Sequence, residues 1–532
     1  MYHHDVLVVG AGPAGLTTAA GLARHGVDVL VVDRHPGTSP FPKATGVSTR
    51  TMELLRGLGL EERARAGAMA VRPYVLVSDT LIGPATAEES FNYPTAEEAL
   101  AVSPTTPGYL PQDHLEPVLL EHVRERGGTV RFQTELTGLQ VDEHGVRAEL
   151  RDLRSGRETR VSARYLVGAD GPRSAVRNAL GIGFDDLGTL GDFVAVIFRA
   201  ALTARLPRVP GAINAVQTPA GSGLFVPTSN DDRWFYAQAR PAGPLVSADW
   251  TAERVVELLR AGTGLPDLAP QILSVQPFTM AGQVASALRA GPAFLVGDAA
   301  HRTTPMGGIG MNTAMHAAHN LGWKLAWVLR GWAGDELLDS YPRERLPVGV
   351  SNVRRSLNGP GADEDGLQRD IGVRYPGAEL APDTGTRAPH AWLHRGAARI
   401  STLDLFDGRL TVLTGPDGAP WLRAAAQLAG AGLPIAALRI GVDLQPEDGA
   451  FDERYRLGAG GAVLVRPDGF LGWRHRGHVS DAAAELGAAV ARTLGWVSRG
   501  GPARPALPAA PTRSGRPPRP SRPAPRPCRP AA

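Results

Sequence analysis

Short uninterrupted apolar runs alternate with amphipathic stretches over the first third of the chain. DVLVVG, from Asp5, and VDVLVVD, ending at Asp33, are runs of the kind buried on both faces of a parallel sheet. Between them, residues from about Ala14 to His25 carry apolar positions at helical spacing. STRTMELLRGLGL predicts a helix with hydroxyl cap candidates at Ser48 and Thr49. QDHLEPVLLEHVRERGG predicts another, with Pro117 in its first turns and a glycine stop, and short strands follow from about Thr129 to Val167. From about Asp186 to Arg289 the pattern turns strand-rich, in DFVAVIFRAAL, RWFYAQARP and LSVQPFTMAG. The opening pattern returns at AFLVGDAAH, ahead of helices over about Gly310–Leu329 and Glu336–Arg355. NGPGADEDG reads as loop. A compact α/β pattern starts near Thr402, with strands in RLTVLTG, PIAALRIGV and GAVLVRPDGFLGWR and helices near Pro420–Ala431 and Ser480–Leu494.

This order predicts an α/β fold: a Rossmann-like nucleotide-binding domain, in two parts at 1–185 and 291–358, with a β-rich substrate module inserted at 186–290. The first part is expected to lend some strands to that module. Residues 359–401 read as linker and 402–497 as a separate small domain. A chain of 532 residues is too long for one core. The last 35 residues hold eleven prolines and eight arginines with no acid, and are expected to be disordered. Without those eight arginines the formal charge of +3 becomes −5, so the body is mildly acidic and offers no basic face for nucleic acid. No run of eighteen apolar residues predicts a membrane span, and strand-like sequence by Asp5 leaves no room for a signal peptide. The single cysteine, Cys528, excludes an intramolecular disulfide, which suits a cytoplasmic protein. Monomer and homodimer both remain open.

Three motifs carry candidate chemistry. Gly10-Ala11-Gly12-Pro13-Ala14-Gly15 joins the first strand to the first helix, with Asp33 closing the second strand. Gly10 allows the tight turn, Gly12 lets the backbone approach a pyrophosphate, Gly15 lets helix and strand pack closely, and Asp33 stands where a carboxylate binds ribose hydroxyls. This motif alone fits NAD and FAD equally. YLVGADGPRSAVRNALG places Asp170 between a strand and a helix, where a simple capping aspartate is the plainer reading. FLVGDAAHRTTPMGGIGMNTAMHAAHNLGWKLAWVL brings Asp298 to a strand end, then a glycine cluster at a helix start, whose N–H groups suit an anion or a carbonyl.

In this order the motifs resemble the class A FAD-dependent aromatic hydroxylases, the para-hydroxybenzoate hydroxylase-like family, and within it the hydroxylases of aromatic polyketides. PKATGVSTRTMELLRGLG, YLPQDHLEPVLLEHVRERG and LVRPDGFLGWR extend the resemblance over about Asp5 to Leu494. It implies that the nucleotide is FAD, with NADPH or NADH as a transient reductant, O2 as co-substrate and an aromatic small molecule as substrate. It further implies that Gly10, Gly12, Ala14 and Gly15 hold the pyrophosphate, Asp33 the adenosine ribose, and that Arg34 lies near the adenine. Lys43, where many relatives have arginine, and Gln112 then lie by the flavin, Asp170 serves FAD and NADPH, and Asp298 takes the ribityl chain. Pro305, Gly307, Gly308, Gly310, Met311 and Asn312 line the pyrimidine side of the isoalloxazine, where a helix N-terminus favours the reduced anion by about 1–2 kcal/mol.

The implied reaction is hydroxylation of an electron-rich aromatic carbon through a flavin C4a-hydroperoxide, with no metal. His301, His316 and Arg374 are candidates for a further role, but structural roles are at least as expected and no general base is assigned. The C-terminal domain resembles a thioredoxin fold, although it holds no cysteine and so no thiol chemistry, and Trp421 and Trp473 are expected in its core. The alternatives are hydroxylation of a small phenol, inactivation of a drug, an oxygen-independent flavin enzyme, and a scaffold that keeps the fold.

Overall fold

The computed structural model describes residues 2–90, 93–240, 250–358, 365–375 and 384–496. The Pro/Arg tail expected to be disordered therefore lies outside the described residues. The apolar opening runs form the centre of the first sheet. Strand Tyr2–Val9 pairs in parallel with Val29–Val32 on one side and Glu158–Gly168 on the other, and Ala293–Leu295 extends the latter. Val6, Val8 and Val29 to Val32 are at most 1% exposed, because the first helix packs on these strands and the antiparallel strands Thr134–Asp142 and Gly145–Asp152 join the same core. The first helix, Pro13–Arg24, packs along the long helix Gly310–Leu329, and two facing glycines allow the approach: a Cβ on Gly21 would stand 3.4 Å from the Gly322 Cα.

The second sheet has eight strands. Its two longest, Phe184–Arg199 and Gln271–Ala285, pair antiparallel with register shifts at Asp186/Gly188 and Thr189/Gly191, where the two glycines adopt positive φ. Two strands from the first part of the chain, Arg72–Ser78 and Ala85–Ser90, complete its far edge. Val194, Val196, Phe198, Phe225, Trp234 and Tyr236 form one core cluster with Val255, Leu258 and Leu259 of the amphipathic helix Ala252–Thr263. The alternate positions Ile197, Ile213, Val226 and Phe235 point to the opposite face and are only half-buried.

The C-terminal module has a four-stranded sheet in the order Ile435–Arg439, Leu410–Thr414, Ala462–Val465, Leu471–His475, packed with helices Ala419–Gly430 and Ala482–Thr493. Trp421 and Trp473 are in its core, edge to face at 5.3 Å. The expected linker differs from the structure over residues 384–401. Strands Trp392–Arg395 and Ala398–Ser401 pair with one another, the first also pairs with Gln445–Pro446, and Arg387 bridges to Phe470. Four-residue strands are too short to show a periodicity, so their pairing comes from the tertiary context.

Candidate active site

The glycine turn is built as its spacing demands. Gly10 has φ +108°, and a Cβ there would lie 2.2 Å from the Ala169 carbonyl oxygen. A Cβ on Gly15 would lie 1.9 Å from the Gly10 carbonyl oxygen. Gly12 differs: the nearest atom to its virtual Cβ is Glu116 Oε1 at 4.0 Å, so this face of the turn is open. Gly12 is also the N-cap of Pro13–Arg24 and caps it with no side chain, leaving the first-turn N–H groups, Ala14 among them, for a ligand. Asp33 supports the turn directly. One carboxylate oxygen accepts from Ala11 N–H at 2.7 Å, and the other accepts from His35 N–H at 2.8 Å. Arg34 is exposed beside it.

Opposite the turn stands helix Gln112–Glu125. Gln112 Nε2 donates to Glu116 Oε1 at 2.7 Å, and Ser39 N–H donates to Glu116 Oε2 at 2.7 Å. Burial raises the Glu116 pKa, opposed by these two donors and by Lys43. Sequence reasoning passed over Glu116, although it lies one helical turn from Gln112 on the same face.

Asp298 follows strand Ala293–Leu295 in a turn lodged against the first helix, where a Cβ on Gly297 would meet Ala14 Cβ at 2.8 Å. Asp298 is exposed, yet protein surrounds it closely enough to raise its pKa, with Lys43 and Arg302 opposing. A carboxylate with both properties lines a cleft. Asp170 is placed differently: it accepts from Ser174 Oγ and from Val176 N–H at 3.1 Å, so it fixes the start of the short helix Ala175–Ala179.

The glycine cluster is fixed from behind. Pro305 and Met306 are exposed, Gly307 and Gly308 have positive φ, and the long helix begins at Gly310. Met311 and Asn312 are buried. Asn312 Nδ2 donates to the carbonyls of Gly308 at 2.8 Å and Gly46 at 3.2 Å and to Tyr93 Oη at 2.9 Å, while its Oδ1 accepts from Ser48 N–H at 3.0 Å and Thr51 Oγ1 at 2.7 Å. One side chain thus joins the cluster to the strand before helix Thr49–Gly57, which Ser48 caps. Tyr93 belongs to no motif, and no local signal marks it. It packs with Ile213 and Val75 of the second sheet, so the half-buried apolar face of that sheet adjoins the glycine cluster. His301 is buried with its pKa lowered to about 4 by burial and by Arg345. His316 faces Thr51 Oγ1 at 2.9 Å, and burial, then Arg345 and Arg50, hold its pKa well below the usual value. Arg374 bridges to Thr386 of the C-terminal module.

An uncapped glycine turn, an acid-lined cleft beyond it and a helix-start glycine cluster beside an apolar sheet face define a dinucleotide-binding redox enzyme of α/β class. The donor set fits FAD in particular: the open face at Gly12 admits a pyrophosphate, and Asp298 in its cleft suits a polyol. Residues 3–356 match the FAD binding domain family and residues 381–496 match the aromatic-ring hydroxylase C-terminal family. The chain is 37% identical to tetracenomycin A2 monooxygenase-dioxygenase of Streptomyces glaucescens, over 92% of this chain and 96% of that protein. It is 40% identical to aklavinone 12-hydroxylase of Streptomyces peucetius subsp. caesius, over 80% and 94%. The solved ternary complex of aklavinone-11 hydroxylase with FAD and aklavinone superposes with a TM-score of 0.87 at 36% identity, covering 93% of this chain and 99% of that one. PieE in complex with FAD and substrate gives 0.84 at 33% identity, with the same coverage. The protein belongs to the FAD-binding aromatic-ring hydroxylases, and its fold is the α/β FAD-binding hydroxylase fold with a β-rich mixed sheet and the C-terminal hydroxylase domain. It is an FAD-dependent monooxygenase. Among the described residues no helix is long and apolar enough to cross a membrane, and no group of side chains is set to hold a metal ion.

Proposed function

We propose that the protein hydroxylates an aromatic polyketide at the expense of NAD(P)H and O2. The observation that carries this reading is the half-buried face of Ile197, Ile213, Val226 and Phe235 beside the glycine cluster. An apolar sheet face left partly open, with Met306 47% exposed at the cluster, suits a flat polycyclic ligand more than a single small ring. The chemistry that bound FAD supplies is the two-electron activation of O2 by NAD(P)H. This chain's residues bind and orient. Gly10, Gly12, Ala14 and Gly15 cradle the pyrophosphate, and Asp33, itself clamped to the turn, takes the adenosine ribose beside Arg34. Asp298 takes the ribityl chain, with Lys43 offsetting its charge, and Gln112 contacts the flavin while Glu116 holds it in place. Gly310, Met311 and Asn312 present the N–H groups of the helix start to the pyrimidine edge, and Pro305, Gly307 and Gly308 wall it. Asp170, in the motif associated with FAD and NADPH binding, acts by fixing the start of helix Ala175–Ala179.

The same reading divides the chain into an FAD-binding domain at 1–185 and 291–358, a substrate module at 186–290, and a thioredoxin-like domain. The sheet order of that last domain supports the assignment, since its first two strands are parallel and its last two form an antiparallel hairpin beside them. The test is NADPH oxidation by the yellow protein with polycyclic quinone-phenols and with small phenols, recording product mass. Stimulation by a polycyclic phenol with gain of one oxygen is expected. Stimulation by small phenols alone moves the enzyme to another substrate class.

A further inference from the structure

Helix Glu336–Asn358 carries a buried charge that the flavin site does not use. Arg345 is 1% exposed. Its Nη1 donates to Tyr375 Oη at 3.5 Å, the long limit of a hydrogen bond, and its Nε and Nη2 have no partner in the structure. A buried cation is tolerated when paired and hydrogen-bonded, and Arg345 lacks a carboxylate partner among the described residues. The adjoining Glu344 is fully engaged: it accepts from Arg466 at 2.7 and 2.9 Å, from Lys324 at 2.7 Å and from Asn320 at 2.7 Å.

Arg345 lines a cavity of about 20 Å³ together with Arg50, His316, Asn320, Asp370 and Asp468, where the FAD-binding part meets the C-terminal module. That volume holds one water-sized guest. The carboxylates in the wall are already committed. Asp370 accepts from the N–H groups of Thr49 at 2.7 Å and Arg50 at 3.3 Å, and Asp468 accepts from Arg466 and from Asn320. The two imidazoles in the wall, His316 and His319, are half-buried, and loss of hydration lowers the pKa of each.

We propose that this cavity is a binding site for one monovalent anion of halide size, held by Arg345 Nε and Nη2. A water molecule satisfies the N–H groups but leaves the guanidinium charge uncompensated in a low-dielectric interior, whereas a halide does both. The site is one side chain from the flavin cradle, because His316 contacts Thr51 Oγ1, which in turn donates to Asn312 Oδ1. It is independent of which aromatic substrate the enzyme takes.

Crystals of the FAD-loaded enzyme grown in bromide test this directly. Anomalous density is expected beside Arg345, in the wild-type protein and at millimolar bromide. In parallel, the thermal midpoint of the FAD-loaded enzyme is compared in potassium chloride and potassium gluconate at equal ionic strength. The midpoint is expected to be higher in chloride, and the difference is expected to vanish in Arg345→Met. A water refined in the cavity without anomalous signal overturns the proposal. Equal wild-type midpoints in the two salts also overturn it, because a peak seen without that effect is an adventitious ion only. If Arg345→Met does not fold, the two wild-type measurements decide alone.

Discussion

Tyr93 and Gly308 are 215 residues apart, and the Tyr93 hydroxyl donates to the Gly308 carbonyl at 2.8 Å. Asn312 donates to both of them, so the glycine cluster is clamped by a residue packed against the second sheet as well as from its own helix. Tyr93→Phe removes the hydroxyl and leaves the ring packed. A net hydrogen bond is worth about 1 kcal/mol, so the FAD dissociation constant is expected to rise about 5–10-fold. Fluorescence titration of the apoprotein with FAD checks this, and an unchanged constant refutes the clamp.

The glycines of the turn separate into two kinds. Gly10→Ala forces a side chain onto a φ of +108° and into the Ala169 carbonyl, and is expected to cost at least about 3 kcal/mol of stability. Gly12→Val points into open space, so the apoprotein should melt near the wild-type temperature yet purify without yellow colour. Normal flavin content in Gly12→Val sinks the pyrophosphate assignment.

Glu53 and Arg387 tie the helix Thr49–Gly57 to the C-terminal module, with Arg387 donating to both carboxylate oxygens at 2.7 to 3.1 Å. Burial raises the Glu53 pKa, but Arg387 and Arg50 outweigh it and hold the carboxyl down at about 2. Its folded value lies below its unfolded one, so the pair's contribution, about 3 kcal/mol, is present above the unfolded pKa and lost as pH falls towards 2. Glu53→Gln is expected to lower stability by about 3–5 kcal/mol at neutral pH by stranding the guanidinium. Urea unfolding at pH 7 and pH 3 measures both: the mutant's deficit should shrink at the lower pH.

His25, His301, His319 and His390 all have pKa values lowered to about 4, chiefly by burial. A depressed folded pKa means that their neutral forms favour folding above about pH 6.5, and that this is lost as pH falls through 4. Thermal midpoints are expected to begin falling below about pH 6, above the range in which carboxylates titrate. A flat profile down to pH 4.5 contradicts this.

Long periodic elements were legible from the chain. The helix Gly310–Leu329 is found where expected, and Ser48 accepts from Thr51 N–H as the cap its hydroxyl suggested. The short strands of residues 392–401 were hidden, since they form a hairpin of four residues a side whose one further neighbour, Gln445–Pro446, lies about fifty residues on. The same limit applies to the site. Gly10, Gly12 and Gly15 announce themselves by spacing, although the fold itself demands glycine only at Gly10 and Gly15. Tyr93 and Arg345 act through partners distant in sequence, and nothing in their local surroundings distinguishes them from ordinary core residues.

The parallel pairing of Leu166, Val167 and Gly168 with Ala293, Phe294 and Leu295 also bears on how the protein is made. About 130 residues separate the two strands, so at about 5–20 residues per second a ribosome needs roughly 6–25 s to deliver the second after the first. During that interval the nascent sheet carries an open apolar edge, the kind of surface that chaperones cover. On the proposed assignment of Asp298 and the glycine cluster to the flavin, its capture waits as well, since both emerge only after that strand. Loading the cofactor is therefore a late event in biosynthesis, and its supply bears on the yield of folded enzyme.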